Sequence, residues 1–170
     1  MSNFSRKILF NFIVILLLQI FVFNNIVIEG KYIPFVYILF IITLPHDINK
    51  LFLIIFAFII GTTQDIFSAT IGIHSFSTVL VAYVRSAILS AYTPPSWYNQ
   101  DQFLEIKTFG FGWFFKYSFT IILIHSFSLY LIDYFNLSLI IDILQHSFFS
   151  SIITTLFIFP LQYGLFEKFK

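Results

Sequence analysis

Polar residues punctuate this chain in clusters instead of alternating with apolar ones. The first apolar run, Ile8 to Ile28, follows Arg6-Lys7, carries Asn24-Asn25 near its end and closes at Glu29-Gly30-Lys31. Further runs read as helices over 33–48, 51–71, 74–92, 113–132 and 143–166. A hydrocarbon core about 30 Å thick takes about 20 apolar residues per helix, with a range of about 17–25. Five of the six runs meet that length. The second does not, because its apolar part spans only Ile33 to Leu44 before Pro45-His46-Asp47.

Charge decides how the short run is read. With six crossings and an inside N-terminus, the cytoplasmic side holds Arg6, Lys7, Lys50, Arg85, Lys107, Lys116, Lys168 and Lys170, and only Lys31 falls outside. Without the second crossing, every later loop changes sides and most cations lie outside. Cytoplasmic loops carry the excess of Lys and Arg, so the pattern predicts six transmembrane helices with both termini cytoplasmic. The basic start followed by an apolar run also resembles a signal peptide. That run is too long for a signal core and no small-x-small cleavage site follows it, so it reads as an uncleaved first helix.

Composition agrees with this layout. The chain has 170 residues, 59% hydrophobic and only 10% charged, where soluble domains average about 25% charged. A soluble enzyme and a disordered chain are both excluded. With no Cys there is no disulfide, thiolate metal site or Cys nucleophile. A net charge of +1 gives no basis for nucleic-acid binding. Connections are short apart from Thr93–Thr108, which leaves one integral membrane domain over 1–170 and no internal repeat of the kind many transporters show.

Asp65 is the most informative residue. A carboxylate within a span is costly and marks a functional or structurally paired position. Gly61, one turn earlier on the same helical face, permits close helix approach, and Ser68, Thr70, Gly72 and His74 follow. Asp65 has two readings: a cap on a hydroxyl or on the next helix's N-terminus, and a chemical group. Arg85 likewise reads either as a partner of Asp65 or as an anchor reaching the cytoplasmic interface. His74, His125 and His146 share the outer half with Asp65, Asp133 and Asp142. Their spacings fit no helical metal motif, so no metal or cofactor is expected. Nucleophile and phosphate-loop motifs are also lacking, and the expectation is a non-enzyme. Trp97, Tyr98 and Trp113 beside Pro94-Pro95 read as interfacial anchors or as a docking loop for a cytoplasmic partner.

Two stretches carry a resemblance: LLLQIFVFNNIVIEGKYIPFVYILFIITLP and IIGTTQDIFSATIGIHSFSTVLVAYVR. In the second, a Gly-x-x-x-Asp, a following Ser and a Gly before the next helix match the pattern of the rod shape-determining protein MreD family, which the chain resembles as far as about Thr93. The resemblance implies an all-α, six-span fold similar to the substrate-binding subunits of energy-coupling-factor vitamin transporters. It also implies a bacterial inner-membrane protein working beside MreC, MreB, RodA and a penicillin-binding transpeptidase in peptidoglycan synthesis. Gly61, Asp65, Ser68 and Gly72 occupy the family's motif positions, with packing and partner contact as their implied roles. The rival expectation is a small-molecule or vitamin binding subunit of a transporter, for which Asp65, His74, His125 and His146 would form a polar outer pocket.

Overall fold

The structure is a computed structural model that describes residues 3–93 and 102–167. Trp97, Tyr98, Pro94-Pro95, Lys168 and Lys170 lie outside the described residues. Helices α1 (Asn3–Phe21), α2 (Ile38–Thr43), α3 (Lys50–Ser68), α4 (Ile73–Tyr92), α5 (Ile106–Phe109), α6 (Phe111–Tyr134) and α7 (Ile140–Glu167) make an all-helical protein. The described residues contain no β-strand, only an isolated antiparallel bridge between Ile28 and Tyr32. Five helices are long and apolar enough to cross a membrane: α1 with its 3-10 extension, α3, α4, α6 and α7.

Helix ends follow local chemistry. The Asn49 side chain accepts the Leu51 and Phe52 amides and starts α3, the usual N-cap arrangement. Ala69 ends α3 in the left-handed region at φ 55°, and Gly72 at φ 77° starts α4. Phe135 at φ 44° ends α6. These turns hold antiparallel neighbours, and the principal packing is α3 on α4, α4 on α6 and α6 on α7. Side-chain pairs define two ends of the bundle. At the upper end Asn24 meets Gln64 and Tyr32 meets His146. At the base Lys7 meets Glu105, and Phe111 meets Phe159.

The predicted helix over 33–48 is the main correction. Only Ile38–Thr43 is α-helical, flanked by non-helical chain, so α2 is not a span-length helix. Its non-helical flanks give the segment more reach than a helix of the same length. Extended chain advances about 3.3 Å per residue against 1.5 Å in a helix. Ile33 is tied to Ser150, and Leu44 to Arg85. Val36, Ile38, Leu39, Ile41 and Ile42 are 0% exposed, so the segment forms the axis of the bundle. Phe12 of α1 packs edge-on against both Phe40 and Phe56, which joins α1, α2 and α3. Helices α3, α4, α6 and α7 run close to their expected bounds, whereas the first helix, expected to reach Ile28, ends at Phe21 with a 3-10 turn to Asn25. Helix α5 with residues 102–105 closes the base by donating the Leu104 amide to the Thr43 carbonyl.

Candidate functional site

Non-helical backbone inside a bilayer protein must find hydrogen bonds from the protein itself. The segment 33–45 does so through side chains from four helices. Gln19 of α1 donates to the Pro34 carbonyl at 3.0 Å and accepts the Tyr37 amide at 3.1 Å. Thr154 accepts the Phe35 amide at 3.0 Å, and Ser150 donates to the Ile33 carbonyl at 3.4 Å, both from α7. Tyr117 of α6 donates to the Ile42 carbonyl at 3.2 Å. Arg85 of α4 completes the set, donating to the Leu44 and Pro45 carbonyls and, through Nε, to the Tyr117 hydroxyl at 3.1 Å.

This geometry corrects both sequence readings of Arg85. It is 2% exposed, so it does not reach an aqueous interface as an anchor, and Asp65 is not its partner. Its planar, permanently charged fork suits it to several acceptors at once. Here the acceptors are the carbonyls just past the end of α2, where the helix dipole favours a cation.

Asp65 lies at the opposite end of α4. Its Oδ1 accepts the His74 amide at 2.9 Å and the Thr70 hydroxyl at 2.6 Å. Its Oδ2 accepts the Ser75 amide at 2.9 Å and the Ser75 hydroxyl at 2.6 Å. The carboxylate therefore caps the next helix, the first of the two readings above. Gly61 lies against the same turn. A Cβ built there would stand 2.4 Å from Ser75 Cα and 2.8 Å from the His74 carbonyl oxygen. Backbone cannot yield as a flexible side chain does, so even Ala at 61 forces α3 and α4 apart. Ser68 accepts from Gln64 at 2.9 Å on the exposed rim of the joint. Gly61 and Asp65 thus serve contacts within the chain, and Gly72 supplies the left-handed turn between the two helices.

His74 also reaches the axis. The Tyr37 hydroxyl lies 2.9 Å from His74 Nδ1 and 2.8 Å from His125 Nε2, and Phe35 packs edge-on against both imidazoles. His125 Nδ1 is sealed from solvent without a hydrogen-bond partner. His146 is elsewhere, bonded to the Asp142 carbonyl and packed at a tilt against Tyr32 and Tyr130. The three histidines therefore do not converge, and no cluster of three His, Asp or Glu able to hold a metal occurs among the described residues.

Two concavities among the described residues bear on the site. A cavity of about 240 Å³ opens at the upper end, lined by Lys31, Gln64, Ser68, His74, Tyr130 and Asp133 among others. Asp65, His125 and His146 do not line it, so the outer pocket exists with a different set of residues from the one expected. A larger apolar groove of about 890 Å³ lies between α4, α6 and α7, bounded by Phe76, Leu80, Phe127, Leu144 and Phe148.

Sequence reasoning missed Gln19, Tyr37, Gln64 and Tyr117. Gln19 carried a usable signal, an amide in the middle of the LLLQIF run, since polar groups in spans face protein or water. Tyr37 and Tyr117 carried none, because tyrosine is ordinary near a membrane interface. Trp113 is placed within the protein, donating to the Thr93 hydroxyl at 2.8 Å and stacking on Phe109. No family model matches the chain, and no curated protein or solved structure matches it either.

Proposed function

We propose that the chain is a non-enzymatic component of the bacterial cell-elongation complex, crossing the inner membrane six times with both termini in the cytoplasm. In this reading it scaffolds MreC, with MreB, RodA and a penicillin-binding transpeptidase in the same assembly. The observation that carries the proposal is the Gly61–Asp65–Gly72 pattern, in which the resemblance to the MreD family and a built structural joint coincide on the same residues. The charge pattern supports the topology: Arg6, Lys7, Lys50, Lys107 and Lys116 belong to the base, and Lys31 to the upper end. The protein–protein contact would be made by apolar helix surface, which packing and small or polar residues put in register.

Depletion of the protein in its own cells, followed by microscopy, tests this. Rounding of rod-shaped cells and loss of MreC from the purified assembly are the expected results. Cells that keep their shape on depletion overturn the proposal. A second reading, a small-molecule or vitamin binding subunit of a transporter, is favoured by the polar cavity at the upper end. Neighbouring genes separate the two readings: wall-synthesis genes for the first, a transport ATPase for the second.

A further inference from the structure

The polar lining of the upper cavity is unequally engaged. Gln64 donates to Asn24 and Ser68, and Thr70 donates to Asp65, so these donors are occupied. Lys31 and Asp133 line the same cavity with opposite charges, yet they form no ion pair with each other. Among the described residues Asp133 has no hydrogen-bond or ion-pair partner, while the Lys31 ammonium lies 5.2 Å from the Tyr32 ring centroid.

The buried Tyr37 bridge assigns the remaining wall. A phenol has one proton, so Tyr37 donates to one neutral imidazole and accepts an N–H from the other. If it donates to His125, a buried His125 Nδ1–H is left without an acceptor. If it donates to His74 Nδ1, His125 is left with an unmatched lone pair only. Orphaned buried N–H groups are the rarer of the two defects, so the second assignment is preferred. His74 then carries its proton on Nε2, an atom with no hydrogen bond inside the protein, on a residue that lines the cavity.

We infer that the upper cavity binds a small zwitterion, its anionic group toward Lys31 and His74 and its ammonium group toward Asp133. The Tyr130 oxygen, whose proton is directed to Ser150 at 3.3 Å, is a second acceptor for the ammonium end. A volume of about 240 Å³ equals about eight water molecules, room for a free amino acid or for the headgroup of an aminophospholipid. Both sources present the same chemistry. The inference concerns the cavity itself and holds under either reading of the protein's cellular role.

The test uses the purified full chain and its thermal unfolding midpoint, since a ligand that binds only the folded state raises that midpoint. Glycine, β-alanine and γ-aminobutyrate, in a neutral detergent, form a series of increasing charge separation. Phosphatidylethanolamine added to phosphatidylglycerol nanodiscs is the lipid source. Acetate and ethanolamine are single-charge controls. A saturable rise with at least one zwitterion is expected, with half-saturation weakened at least tenfold in both Lys31→Gln and Asp133→Asn. Both substitutions fall on exposed side chains, so loss of folding does not confound them. A response confined to the amino acids identifies a free solute, and one confined to phosphatidylethanolamine identifies a headgroup. No saturable rise with any zwitterion, an equal rise with acetate or ethanolamine, or a rise unchanged in both variants overturns the inference.

Discussion

At Asp65 one side chain satisfies four donors: the amides of His74 and Ser75 and the hydroxyls of Thr70 and Ser75. Asp65→Leu leaves those donors to be desolvated, at about 1–3 kcal/mol for each one that finds no other partner. The hydroxyls can rotate toward other acceptors, so the two amides dominate, and a loss of about 3 kcal/mol is expected. Asp65→Asn keeps one acceptor oxygen but sets an NH₂ against donors, for a loss of about 1–2 kcal/mol. Thermal unfolding in detergent, followed by circular dichroism, should rank wild type above Asn and Asn above Leu. A Leu variant that melts with wild type shows that the cap contributes nothing. Asp65 was legible in the sequence because a carboxylate so deep in an apolar run demands a partner. Tyr37 was not, because helices apolar on most sides do not reveal which face turns inward. Its two histidine partners come from segments 37 and 88 residues away along the chain.

The element whose form the sequence concealed is the axial segment 33–45. Twelve apolar residues are too few for a spanning helix, and hydropathy cannot distinguish a short helix from a longer-reaching extended stretch. What permits the non-helical flanks of α2 is a set of donors and acceptors scattered over α1, α4, α6 and α7. Arg85 is the charged member of that set and makes three of its bonds, so Arg85→Lys is not conservative. An ammonium cannot reproduce the fork that meets both carbonyls while Nε engages Tyr117. Losses of about 2 kcal/mol for Arg85→Lys and about 3–4 kcal/mol for Arg85→Met are expected from the hydrogen bonds to a charged group that disappear. Equal unfolding midpoints for Arg85→Lys and wild type would refute the latch. The base closure carries a pH dependence of its own. Burial raises the Glu105 carboxyl above its ordinary value of 4.5, against the opposing pull of Lys7, whose ammonium lies 3.5 Å away. The docked state therefore favours the protonated acid. Its contribution is complete below the ordinary value and is lost as pH rises through the raised one. A spin label on a single Cys at Lys107 should become more mobile over that rise, and the change should vanish in Glu105→Gln. An unchanged pH response in Glu105→Gln assigns it to a group other than Glu105, and His46 is not that group. Burial and the nearby Arg85 lower the His46 value, so that group acts with the opposite sign, loosening the fold as pH falls.

For the molecule as a whole, the open issue is whether the axial segment makes the chain cross a membrane a sixth time. Five long apolar helices alone would put the two ends of the described chain on opposite sides, whereas a path through 33–45 returns them to the same side. The contacts at the two ends of the segment and the distribution of cations are independent lines of support. Ile33 meets Ser150, which lies well inside α7, and Thr43 accepts the Leu104 amide beneath α6. Among the described residues five cations belong to the base, and Lys31, at the upper end, lines the cavity together with Asp133. The absence of cysteine makes the question directly measurable, because a single introduced Cys is the only thiol to react. Cysteines replacing Lys31 and Leu137 should be labelled by a membrane-impermeant maleimide added to intact spheroplasts. Cysteines replacing Asp47 and Lys107 should react only after the membrane is opened. All four positions lie in or beside turns and outside the packed helix faces, so labelling reports the side of the membrane and not local unfolding. Labelling of positions 31 and 47 from the same side would make the axial segment a re-entrant loop. The five long helices would then be the only crossings, and Lys107 would change sides with Asp47.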